Sequence, residues 1–162
     1  MKTITKIFSI FTLFAIFTLT FATPAMAFDG RSGDNITIEA DEVINDDLYV
    51  TAANFTLEGT VNGDLIVFGQ TITINGTVNG DVMAAGQSVV INGTVTGDAR
   101  IAGSALQLGK AASINEDLVA GGASLETKDG STIGGELVFG SGQTLLAGDV
   151  TGDVLAGTGS LE

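Results

Sequence analysis

Apolar and polar residues alternate along most of this chain, and the alternation restarts at a nearly fixed interval. In residues 63–79, GDLIVFGQTITINGTVN, the apolar positions are Leu65 and Val67, then Ile72 and Ile74, then Val78. Ile66, Thr71, Thr73 and Thr77 fall between them. A period of two in a β-branched segment predicts short strands, and the intervening Gly, Asn and Asp predict corners. The 3.6-residue spacing of a helix is absent throughout this part of the chain, and glycine interrupts every potential helix. Three strands of two to five residues are therefore expected in each such segment.

The segment is one copy of a repeat. Residues 80–96, GDVMAAGQSVVINGTVT, and 46–62, DDLYVTAANFTLEGTVN, fit the same 17-residue frame. Residues 97–115 and 116–134 give copies of 19, residues 135–151 return to 17, and 152–162 begin another. Upstream, residues 36–45 (ITIEADEVIN) match the back half of a copy with two extra residues. A period near 20 residues is the mark of a solenoid, whose units bury their apolar faces only by stacking. Three strands per copy would reverse direction from copy to copy in an antiparallel meander, whatever the hairpin character of Asn75-Gly76 and Asn92-Gly93. In a parallel β-helix every copy meets the same surroundings, which explains the constant frame. The two longer copies place their extra residues at one corner, near Gly109–Ser113 and Lys128–Ser131. The expected fold is therefore all-β, a three-sided parallel β-helix of 17–19 residues per coil spanning residues 36–162.

The frame predicts the core. The first side points Leu48, Leu65, Val82, Ala99, Leu118, Leu137 and Val154 inward, then Val50, Val67, Ala84, Ile101, Ala120, Phe139 and Ala156. The second contributes Phe55, Ile72, Val89, Leu106 and Leu125, then Leu57, Ile74, Ile91 and Leu108. The third contributes Val61, Val78, Val95, Ile114, Ile133 and Val150. In the copy at 135–151 the inward pair is either Thr144 and Leu146 or Leu145 and Ala147. Fifteen of the 23 glycines fall at or near corners, such as Gly63, Gly69 and Gly76, where positive φ or tight turning is expected.

Residues 1–27 are of another kind. Lys2 and Lys6 precede an apolar run, Ile7–Ala22, and Ala25-Met26-Ala27 supplies a small-residue cleavage site. This predicts a signal peptide cleaved after Ala27 and export across the cytoplasmic membrane, to the periplasm, cell envelope or exterior. The alternative is an anchor that is kept. Residues 28–35 (FDGRSGDN) then read as a short polar lead ahead of the solenoid.

Composition narrows the chemistry. The chain has no His and no Cys, so imidazole bases, thiol nucleophiles, disulfides and the usual zinc, haem or iron–sulfur ligand sets are excluded. The net charge of −13 argues against nucleic acid and anionic membrane surfaces as electrostatic partners. Loss of the signal segment removes Lys2 and Lys6, which makes the remainder more acidic still. Short coils without long loops offer no cleft in which paired carboxylates could flank a bond. No enzymatic activity, catalytic residue or cofactor is expected.

The most regular polar feature is a column of acids. Asp47, Asp64, Asp81, Asp98, Asp117, Glu136 and Asp153 recur at one position in successive copies. Stacked, they would take up divalent cations through oxygen ligands, or stand at the corner for its turn hydrogen bonds with their charge in water. The second reading is the commoner for Asp at corners. A second column, Tyr49, Ile66, Met83, Arg100, Val119, Val138 and Leu155, faces outward yet is largely apolar. It reads as a lateral contact stripe or as ordinary β-propensity. The glycosylation-type triplets at Asn35, Asn54, Asn75 and Asn92 arise from the Asn-rich corners.

The pattern Gly-Asp-Leu/Val-x-Val/Ala, then alternating Val/Ile, then Asn-Gly-Thr-Val-x-Gly-Asp over residues 46–162 resembles the bactofilins, polymer-forming bacterial cytoskeletal proteins. The resemblance implies a right-handed β-helix that assembles end to end, without nucleotide, into a homopolymer. Its departure is the export signal, since bactofilins are typically cytoplasmic or attached to the membrane from inside. The ends point the same way, because an open rung of a β-helix recruits further strands. The functional expectation is a self-assembling, non-catalytic scaffold whose partner is itself, with a cell-envelope or membrane partner left open. The rival is a non-polymerising, adhesin-like surface module, or the extracytoplasmic part of a truncated membrane protein.

Overall fold

The computed structural model describes residues 29–162; the expected signal peptide, its expected cleavage site and Phe28 lie outside the described residues. Eight long strands form one parallel sheet: β1 (Asp29–Ile38), β3 (Leu48–Leu57), β5 (Leu65–Ile74), β7 (Val82–Ile91), β9 (Ala99–Leu108), β11 (Leu118–Thr127), β13 (Leu137–Leu146) and β15 (Val154–Leu161). Seven two-residue strands form a second: β2 (Val43–Ile44), β4 (Thr60–Val61), β6 (Thr77–Val78), β8 (Thr94–Val95), β10 (Ser113–Ile114), β12 (Thr132–Ile133) and β14 (Asp149–Val150). Each strand pairs with its equivalent in the next coil, so the chain is a parallel β-helix of eight rungs. No helix occurs among the described residues.

The three short strands expected per coil are two, because the first two are continuous. In β5, Leu65 and Val67 point inward, and the next inward residue is Ile72. That odd step reverses the alternation in mid-strand. The ladder omits one residue at the bend: Ala52 pairs with Gly69 and Asn54 with Thr71, while Ala53 and Gln70 are passed over. The coil turns its corner there without giving up the ladder, and the neighbouring coil repeats the same bend.

The predicted inward columns form a single core. Leu48, Leu65, Val82, Ala99, Leu118 and Leu137 are buried, as are Phe55, Ile72, Val89, Leu106 and Leu125. In the copy at 135–151 the inward pair is Thr144 and Leu146; Leu145 is exposed. Extra residues in the 19-residue coils form tight turns at one corner, closed by Ala112 N–H to Gly109 O and by Ser131 N–H to Lys128 O, both 3.0 Å. A third such turn, closed by Glu42 N–H to Glu39 O at 2.9 Å, lies in the first coil.

One expectation is corrected and another narrowed. Residues 29–35 are not a lead ahead of the solenoid: they pair in register with Leu48–Asn54 and make the first half of β1. Polar side chains at the inward positions Asp29 and Arg31 concealed this. Of the two roles expected for the corner glycines, positive φ is found among the described residues only at Gly130, φ 96°, in the turn closed by Ser131 N–H to Lys128 O. The other corner glycines are needed for close stacking of backbones. A Cβ built on Gly63 would lie 2.7 Å from the carbonyl carbon of Asp46, and one on Gly76 would overlap the carbonyl oxygen of Gly59.

Polar groups also enter the core. Thr127 occupies the column of Leu57, Ile74, Ile91 and Leu108 and is buried. Its Oγ1 accepts the N–H groups of Ala147 and Gly148, both at 3.1 Å. In other coils the corner glycine N–H reaches a strand-end carbonyl, as Gly93 N–H reaches Ile74 O at 3.0 Å. Thr127→Val keeps the shape and removes the acceptor, which is expected to cost about 1–3 kcal/mol of stability in urea unfolding.

Candidate functional site

The acidic column stands as the repeat predicted, and the structure shows what its carboxylates do. From Asp47 to Asp117, Oδ1 of each Asp accepts the backbone N–H of the acid one rung on. Asp47 accepts from Asp64 at 2.9 Å, Asp64 from Asp81 at 2.8 Å, and Asp81 from Asp98 at 3.0 Å. Asp98 accepts from Asp117 at 3.0 Å and Asp117 from Glu136 at 2.7 Å. Those amides belong to a corner between the two sheets, where strand pairing offers them no carbonyl. A charged acceptor on an amide is among the stronger hydrogen bonds. The reach of Asp suits one rung of spacing, about 4.8 Å. Like charges repel at that spacing, and solvent at the corner screens them.

Arg100 closes over the middle of the column. Its guanidinium donates to Asp81 Oδ2 at 3.2 Å and to Asp98 Oδ2 at 2.7 Å. The bond to Asp81, then the charge of Asp98, raise its pKa. No group of three or more acidic side chains placed to hold a metal ion occurs among the described residues. The column is a string of single acids, of which Asp47, Asp64, Asp81, Asp98 and Asp117 are committed through one oxygen to a neighbour's amide.

Asparagines make parallel ladders at other corners. Asn62 donates to Asn45 at 2.7 Å and Asn79 to Asn62 at 2.8 Å. Asn92 donates to Asn75 and Asn75 to Glu58, both at 2.7 Å. All four sequon asparagines thus hold neighbouring coils together, Asn35 as the acceptor from Asn54 at 2.8 Å.

The two edges of the sheet differ. At β1, Arg31 stands in the column of Val50 and Val67, where later coils carry core residues. It donates to Asp29 Oδ1 at 3.2 Å and Oδ2 at 3.0 Å, and to Glu42 Oε1 at 2.7 Å. The Asp29 bond and then the Glu42 bond raise its pKa. This ion-paired cluster covers one end of the core with polar groups. At β15 the inward column is open: Val154 is 48% exposed, where Leu137 below it is 0%. Leu161, at the other end of the strand, is 54% exposed.

The outward stripe is real. Tyr49, Met83, Val119 and Leu155 are exposed and lie in one column with Ile66, Arg100 and Val138. The adjacent outward column adds Phe68, 47% exposed, which sequence reasoning passed over. Its signal was there, in an aromatic residue two places after an outward Ile.

Fold and surface define a parallel β-solenoid whose regular features are edges and faces rather than an enclosed site. Comparison with protein-family models, curated proteins and solved structures finds no match to this chain. The β-solenoid architecture is consistent with a structural scaffold.

Proposed function

We propose that this chain is an exported, non-catalytic scaffold of the bactofilin type that assembles by stacking coil on coil along its axis. The observation that carries the reading is the unbroken register of the long strands. The edge of β15 offers an incoming strand the same backbone pattern that β13 offers β15. The carboxylate and asparagine ladders support the reading, because each links one rung to the next and extends with the stack.

A specific observation favours the rival, a surface module that stays unpolymerised. The Asp29–Arg31–Glu42 cluster covers the opposite end, and burying it against a second subunit costs desolvation. Electron microscopy with sedimentation velocity of the purified protein separates the two. The scaffold reading expects filaments one solenoid wide without added nucleotide. Single rods at every concentration and salt tested would establish the module instead.

A further inference from the structure

Asn-Gly pairs recur at two corners of the coil. Asn62-Gly63 and Asn79-Gly80 precede the acidic column, while Asn75-Gly76 and Asn92-Gly93 follow the ends of long strands. Asparagine is a thermolabile residue, and a following glycine has no side chain to keep its backbone nitrogen away from the asparagine Cγ. The fold treats the two corners differently.

At the strand-end corner the glycine nitrogens are held. Gly76 N–H donates to Leu57 O at 2.9 Å and Gly93 N–H to Ile74 O at 3.0 Å. Gly93 is buried. Asn75 is engaged at both ends of its amide, donating to Glu58 and accepting from Asn92. Attack by either glycine nitrogen would break a bond between rungs.

At the acidic corner the Gly63 and Gly80 N–H groups make no hydrogen bond among the described residues. The next glycine of that column, Gly97, does donate, to Gly80 O at 3.0 Å, but it follows Thr96. Asn62 and Asn79 are both exposed. Asn62 is engaged at both ends, donating to Asn45 and accepting from Asn79. Asn79 is the open end of that ladder: its Nδ2 donates to Asn62, and nothing donates to its own Oδ1.

We propose that Asn79 is a site of spontaneous deamidation, and that its conversion releases Asn62 to follow, so that the modification runs along the ladder rung by rung. Gly80 N bonds to Asn79 Cγ, the Cγ–Nδ2 bond breaks, and Nδ2 leaves as ammonia with the proton from Gly80 N. Water, the only co-reactant, then opens the cyclic imide at one of its two carbonyls. One opening gives aspartate and the other isoaspartate, whose backbone runs through the former side chain; each adds a negative charge beside Asp64 and Asp81. A carboxylate has no N–H to donate. Asn62 Oδ1 then loses its donor and faces a charged oxygen, which frees its side chain to turn toward Gly63 N. Propagation stops at Asn45, which is followed by Asp46 rather than glycine.

The test holds the full chain at mildly alkaline pH, folded and in guanidinium chloride, and times conversion at each asparagine by peptide mapping with mass spectrometry. In the folded chain Asn79 is expected to convert at least tenfold faster than Asn75 and Asn92, with Asn62 lagging behind Asn79. In denaturant the four rates are expected to converge, because only the Asn-Gly sequence remains. Asn79→Asp is expected to speed conversion of Asn62 at least threefold and to leave Asn75 and Asn92 unchanged. Asn75 or Asn92 keeping pace with Asn79 in the folded chain would overturn the proposal. So would the same order of rates in denaturant as in the fold, or an Asn62 rate unmoved by Asn79→Asp.

Discussion

Gly93→Ala is expected to cost about 3–5 kcal/mol, a large share of the 5–15 kcal/mol that holds a domain of this size together. The added Cβ would overlap the carbonyl oxygen of Gly76 and lie 2.6 Å from Asn75 O and 2.7 Å from Asn75 C. All three are backbone atoms of the coil beneath and cannot rotate away. Gly76 O also accepts the N–H of Thr94 at 3.1 Å, so displacing it breaks a rung. Gly76 in turn sits over Gly59, and the column transmits the strain. Gly121→Ala is the control, since its Cβ enters open space. It is expected to be neutral or to stabilise by about 0.5–1 kcal/mol through the unfolded state. Urea unfolding of the two variants beside the parent checks both. Equal midpoints would show that the corner glycines are not stacked as described.

These two glycines show why much of the fold could be read from the repeat and part of its logic could not. A solenoid gives equivalent residues equivalent surroundings, so aligning GDLIVFGQTITINGTVN with GDVMAAGQSVVINGTVT also superposes their environments. The frame therefore yielded the inward columns and the acidic column. It could not tell a glycine that turns the chain from one that lets a neighbour's carbonyl in, because that depends on the distance between coils. The continuous ten-residue strand was hidden for a similar reason: the phase reversal at Gly69 looks like a strand end unless the ladder is seen to pass it. Arg31 was missed because an ion-paired residue breaks the apolar pattern. The match of Asn35-Ile36-Thr37-Ile38 to Asn54-Phe55-Thr56-Leu57, 19 residues on, carried the missing register. The acids were legible as a column, but whether a carboxylate binds a cation or a neighbour's amide depends on where unpaired N–H groups fall. That is settled only when the coils stack.

Ile74→Asp is expected to unfold part of the solenoid, while Thr73→Asp beside it costs less than about 1 kcal/mol. Ile74 is fully buried between Leu57 and Ile91 in an apolar column. The nearest polar side chain in that column is Thr127, three rungs away. A carboxylate there loses about 2–3 kcal/mol of apolar burial and pays several more for desolvation without a donor. Thr73 points outward in the same strand, so its replacement stays in water. The loss at Ile74 should not spread evenly, because each coil of a solenoid contacts only its neighbours. Failure of the third coil isolates two coils on one side and five on the other, and about three are needed to bury a core. Hydrogen exchange is therefore expected to show protection lost from residues 29–78 and kept from 82 to 162. Uniform loss would mean that the rod folds as one cooperative unit, and uniform retention would mean that Ile74 does not face the core.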